Sequence, residues 1–64
     1  MKPTLLKQVK KGEVFKFRPS ETAKVYVRDG YDRETKKYEY YNYFNVGEWN
    51  MRKGTCIVYV DFEF

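Results

Sequence analysis

The ten residues from Thr55 to Phe64 alternate without interruption. Cys56, Val58, Val60, Phe62 and Phe64 fall on one side, and Thr55, Ile57, Tyr59, Asp61 and Glu63 on the other. A side-chain period of two marks a strand with one buried face. The first set is wholly apolar, so it is expected to face inward. The same period recurs upstream. Glu13–Arg18 sets Phe15 and Phe17 against Val14, Lys16 and Arg18. Lys24–Arg28 sets Val25 and Val27 against Lys24, Tyr26 and Arg28. Lys37–Phe44 sets Tyr38, Tyr40, Asn42 and Phe44 against Glu39, Tyr41 and Tyr43.

Turn chemistry separates these runs. Pro19–Thr22 is a connection. Asp29-Gly30 has the form of a hairpin dipeptide, but Asp32–Lys36 offers a polar turn just beyond it. The later turn leaves strands of similar length and makes Gly30 a bulge within a longer strand. Helical signal is confined to two places. In Thr4–Lys11 the spacing of Leu5, Leu6 and Val9, after Pro3 and before Gly12, suits a short helical or 3-10 segment over one end of a core. Asn45–Gly54 has no clean period and is expected to hold a helical turn, with Trp49 capping the core.

No helix is long enough to cross over a parallel sheet, so the strands should pair antiparallel. The expected fold is all-β apart from a minor helical turn. It is one domain over residues 1–64, a small four- to five-stranded barrel or bent sheet of SH3-like or OB-like type. A chain of this length buries only about 60% of its unfolded surface. It has no room for a large cofactor, and none is expected.

Much chemistry is missing. There is no histidine, and Cys56 is the sole cysteine. Ser-His and Cys-His nucleophile pairs are therefore absent, as is any internal disulfide. A metal site would need carboxylates alone. No Gly-rich phosphate loop of Rossmann or Walker type occurs. Asp61 and Glu63 share a strand face about 7 Å apart, but an acid alternating with Phe is also what an amphipathic strand looks like. Asp29 and Asp32 match no EF-hand spacing, and Cys56 on an inward face acts as an apolar filler. The expectation is a protein that is not an enzyme. Met1–Glu13 lacks a continuous apolar run, and no stretch approaches the roughly 20 apolar residues of a membrane helix. A single cysteine suits a reducing interior, so the expected setting is cytoplasmic, without membrane contact.

Two features could carry binding. The first is charge. Lys2, Lys7, Lys10, Lys11, Lys16 and Arg18 face only Glu13 in the N-terminal quarter, whereas residues 19–64 hold seven bases against eight acids. Such an excess can attract nucleic acid or an acidic surface. The second is tyrosine: Tyr38, Tyr40, Tyr41 and Tyr43 lie within six residues. Rings framed by cations suit stacked bases and phosphates, and they also suit protein anchors. No RNP1 or KH signature is present, and Glu39 shares a face with Tyr41 and Tyr43. That favours a protein partner bound by Tyr26, Arg28, Tyr41 and Tyr43, with Trp49 as a loop anchor. The alternative is nucleic acid bound by Lys7, Lys10, Lys11, Lys16, Arg18, Lys24 and Arg28. Self-association through the last strand, by Ile57 and Tyr59 on its outward face, is a further option.

At Val25-Tyr26-Val27-Arg28, Tyr31-Asp32-Arg33, Lys36-Lys37-Tyr38 and Val60-Asp61-Phe62-Glu63-Phe64, the chain resembles a group of very small uncharacterised proteins of bacteriophages and other bacterial mobile elements. The resemblance runs from about Gly12 to Phe64 and brings no catalytic residues. It implies an intracellular phage-type setting. In that setting the chain would be an inhibitor or adaptor that binds a host protein, or an oligomeric sponge for nucleotide signals.

Overall fold

The computed structural model describes residues 1–64. It contains six strands and one 3-10 turn. These are β1 (Lys2–Leu5), the 3-10 turn (Leu6–Gln8), β2 (Val14–Phe15), β3 (Tyr26–Asp32), β4 (Lys37–Asn42), β5 (Asn45–Lys53) and β6 (Ile57–Val60). Strands β1 and β6 pair as one sheet, and β2-β3-β4-β5 form the other in that order. Every pairing is antiparallel. A single bridge joins the sheets: the N–H of Lys16 donates to Tyr59 O at 2.9 Å, and the N–H of Tyr59 to Lys16 O at 2.8 Å. The 3-10 turn is tied to the stretch before β6 by Leu6 N–H to Cys56 O at 2.9 Å and Lys7 N–H to Gly54 O at 3.0 Å. The expected all-β antiparallel architecture is present as a bent arrangement of sheets, not as a closed barrel.

Strand register sorts the side chains into two faces. Val14, Val27, Tyr41 and Trp49 lie opposite one another across all four strands of the larger sheet. Phe15 faces Tyr26, and Arg28, Tyr40 and Asn50 form a further row on the other face. That second face packs the core. Leu6, Val9, Phe15, Tyr40 and Val58 are buried together, with Phe17, Tyr26, Tyr38, Cys56 and Val60 against them. Fully burying a Phe, Leu or Val side chain contributes about 1.5–3 kcal/mol. The core is therefore held by few residues, drawn from both sheets and the 3-10 turn.

The later turn after β3 is the one used. The bulge falls between Arg28 and Tyr31, with Asp29 and Gly30 opposite Glu39 alone. The Asp32 carboxylate accepts from Glu34 N–H at 3.1 Å and from the Thr35 hydroxyl at 3.0 Å, and Lys36 closes the turn at φ 57°.

Several expectations are corrected. Asn45–Gly54 holds no helical turn; nearly all of it is β5, and Trp49 is exposed instead of capping the core. Its period is hidden because Tyr41 pairs with Trp49 while the adjacent Asn42 pairs with Asn45, so Val46–Glu48 bulge from the ladder. Lys37–Phe44 ends as a strand at Asn42. The first strand signal shortens to Val14–Phe15, and residues 2–5 form a strand not foreseen. The last strand stops at Val60, because Asp61 adopts φ 59° and breaks the alternation. Phe64 consequently lies outside the core. Strand β6 pairs with β1 along one side and is bridged on the other at Tyr59 alone, by Lys16. Ile57, on the outward face of this strand, is exposed.

Candidate functional site

The turn between β4 and β5 is built by Asn42. Its Oδ1 accepts the Phe44 N–H at 2.9 Å, an Asx-type turn. Its Nδ2 donates to Glu48 Oε2 at 3.1 Å, and Glu48 Oε1 also pairs with Lys24 Nζ at 3.3 Å. The Asn42 amide first, and the Lys24 ammonium second, hold the Glu48 carboxyl below the ordinary carboxylate range. Tyr43 N–H donates to Val25 O at 2.9 Å, which seats the turn against the start of β3. Asn42 itself is buried, so the turn is anchored from within.

Apolar side chains of this turn, of β5 and of the segment after β6 stand in solvent. Phe44 is 75% exposed, Val46 73%, Trp49 62% and Phe64 61%. Tyr43, Phe44 and Phe64 form an aromatic trio with centroids 4.9–6.2 Å apart, extended by Phe62 at 5.7 Å from Phe64. The turn leads directly into the bulge that carries Val46. Val46, Trp49 and Tyr41 line a shallow groove of about 300 Å³ with Asp29 and Glu39 at its rim and no cation among its walls. The Glu39 carboxylate lies over Gly30, where a Cβ would come within 2.7 Å of Oε1.

The residues proposed for partner binding divide. Tyr41 and Trp49 are brought together across β4 and β5. Tyr43 joins the neighbouring trio. Tyr26 does not face outward as its flanking Lys24 and Arg28 implied. Its ring packs within 5.2–6.0 Å of Phe15, Phe17 and Tyr40. Arg28 lies on the same inner side, its guanidinium carbon 4.6 Å from the Tyr38 ring centre. Phe44, Val46 and Phe64 were missed. Strand alternation groups Phe44 with Tyr40 and sends Phe64 inward, but the backbone turns at Asn42 and at Asp61 before reaching them. The signal available was the pair Asn42 and Asn45, turn-forming residues bracketing two aromatics.

The basic set also divides. Lys16 is only 2% exposed and is removed from any interface. Its ammonium donates to Ser20 O at 3.1 Å and Glu21 O at 3.4 Å and sits 4.6 Å from the Phe62 ring centre. Arg18 and Lys24 border an open cleft of about 440 Å³ with Tyr26 and Arg52. Arg52 lies over Phe17 at 4.5 Å and donates from Nε to Tyr40 Oη at 3.4 Å; the Tyr40 hydroxyl raises its already high pKa. Lys7 lies elsewhere, beside Gly54, and Lys10 and Lys11 flank the turn before β2. The N-terminal lysines thus do not make one patch.

No protein-family model matches this chain, and neither does any curated protein or solved structure. No helix is long and apolar enough to cross a membrane.

Proposed function

We propose that this chain is a non-enzymatic binding module that captures a protein partner through the β4–β5 hairpin. In the phage-type setting that the resemblance implies, the partner is a host protein. The observation that carries this reading is the exposure of Phe44, Val46, Trp49 and Phe64 around one rigidly seated turn. Large apolar side chains clustered in solvent mark interaction sites, and aromatic anchors carry most of the energy at such sites. The rim names the partner's chemistry. Asp29 and Glu39 border the groove without a compensating cation, so the matching surface is an apolar ridge flanked by Lys or Arg. Such rim charges act mainly on encounter rate and specificity.

The test is capture from bacterial lysate after nuclease treatment, comparing the native chain with Trp49→Ala and Asp29→Lys. A protein band in fixed stoichiometry should survive nuclease, weaken at least ~30-fold with Trp49→Ala, which is about 2 kcal/mol, and weaken less with Asp29→Lys. A band indifferent to both substitutions contradicts the assignment. Loss of the band with nuclease contradicts a protein partner.

A further inference from the structure

At the opposite end of the β4–β5 hairpin, the β3–β4 turn meets the segment after β5. Lys7, Lys36 and Lys53 surround an open cleft of about 450 Å³ whose aromatic wall is Tyr31 and Tyr38. No carboxylate lines it. The two tyrosine rings lie 4.7 Å apart, tilted by 52°. Tyr38 is held by the Arg28 guanidinium at 4.6 Å, and Arg28 Nε is buried with no hydrogen-bond partner. Tyr31 is 45% exposed, so its ring remains open to a ligand. Gly54 sets the floor: a Cβ there would meet Tyr38 Cε2 at 2.7 Å and Lys7 Cβ at 2.8 Å. Only a glycine lets the ring and the lysine stem approach together.

The lysines here are uncommitted. The one ion pair in the molecule is Lys24–Glu48, at the other end of the hairpin. Asp32, the acid nearest in sequence to Tyr31, has both oxygens engaged within its own turn. The Arg18–Lys24 cleft differs, because Lys24 is paired with Glu48 and Arg52 is stacked on Phe17. Three free ammonium groups beside an open ring match a phosphate and a base. Stacking on aromatic rings with cations along the backbone is how single strands are held.

We propose that this cleft binds a nucleotide unit, with the base on Tyr31 and the phosphate among Lys7, Lys36 and Lys53, and that its source is single-stranded nucleic acid. The site shares no residue with the proposed protein-binding hairpin turn, so either can fail without the other.

The experiment is fluorescence anisotropy with a labelled single-stranded octamer, against a duplex of the same sequence and against free ATP as competitor. Tyr31→Ala should weaken octamer binding about five- to hundredfold. Lys53→Glu should weaken it and flatten a salt dependence whose log–log slope is about −0.7 for the one phosphate seated among the three lysines. Lys11→Glu, outside the cleft, should change little. Thermal unfolding of each variant separates loss of the site from loss of the fold. ATP competition that Tyr31→Ala abolishes would assign the same chemistry to free nucleotides. No octamer binding, equal binding in Tyr31→Ala, or preference for duplex would overturn the proposal.

Discussion

The molecule contains two groups of mutually packed aromatic rings with opposite fates. Phe15, Phe17, Tyr26 and Tyr40 sit 5.1–6.0 Å apart, and Tyr43, Phe44 and Phe64 sit 4.9–6.2 Å apart. Both groups are dominated by edge-to-face contacts, the arrangement the ring quadrupole favours. Only the first group is covered. Val58 of β6 and Leu6 of the 3-10 turn, both fully buried, pack against it, whereas Phe44 and Phe64 stand in solvent. Ring geometry therefore does not define a core here. Backbone elements laid over the rings do, and where none is laid the rings remain available to a partner.

The comparison is broken most directly by truncating one ring from each group. Phe15→Ala should cost about 3–5 kcal/mol, a large share of the total stability of a small domain. Phe44→Ala should stay within about 0.5 kcal/mol, as for an exposed site. Urea unfolding monitored at Trp49 measures both, and similar midpoints for the two variants would show that the exposed trio is structural.

Glycines sharpen the same contrast between fixed and yielding surroundings. Gly54→Ala drives a Cβ into the Tyr38 ring and the Lys7 stem, and should cost about 1–3 kcal/mol by overpacking. Gly30→Ala meets only the end of the flexible Glu39 side chain, and its unfolding midpoint should fall by less. Equal midpoints for the two would contradict the close packing at Gly54.

Much of this was legible in the residues. Val58 faces the core from β6 as its alternation requires. Val25 and Val27 share one face as their spacing requires and are both buried, but on the side of the sheet opposite the aromatic core, because Tyr26 between them points into it. The bulge at Gly30 and the polar turn beyond it were also readable, because Asp32, Thr35 and Lys36 supply local hydrogen bonds and a left-handed residue. What was not legible lies where tertiary context overrides period. Lys16 is buried because Ser20 O, Glu21 O and the Phe62 ring receive its ammonium, and nothing local announces that. Tyr26 turns inward because Phe15 and Phe17 reach it from β2 and the residues beyond. Asp61 ends the most regular run in the chain by entering φ 59°, a conformation for which an Asp gives only weak warning. In the proposed site, Tyr41, Tyr43 and Trp49 stand out in the sequence as aromatics, whereas the exposure of Phe44, Val46 and Phe64 depends on a turn, a bulge and the left-handed Asp61 that alternation conceals.

Smaller effects test the joints between the two groups. Tyr40→Phe keeps the ring in the core and removes only the acceptor of a long bond from Arg52 at 3.4 Å. It should cost less than about 1 kcal/mol, far below Phe15→Ala. A comparable loss would mean the hydroxyl, not the ring, holds this face. The smallest effect concerns acid. The Glu48 carboxyl is lowered in the folded chain by Asn42 and then Lys24. Its contribution is present above the unfolded carboxylate pKa and is lost as pH falls through the lower folded value. Native stability should therefore fall slightly more than that of Glu48→Gln over that acidic window, and match it in shape above. A Glu48→Gln curve that parallels the native one through the acid range would remove this role.

The central claim is that the hairpin aromatics are free of structural duty and serve a partner. It is tested most directly by the double variant Phe44→Ser with Trp49→Ala. Its thermal unfolding is measured alongside nuclease-resistant capture of the partner band. The account predicts an unfolding midpoint close to that of the native chain, together with loss of the band. A midpoint that collapses toward that of Phe15→Ala, or a band that persists at native strength, would contradict it.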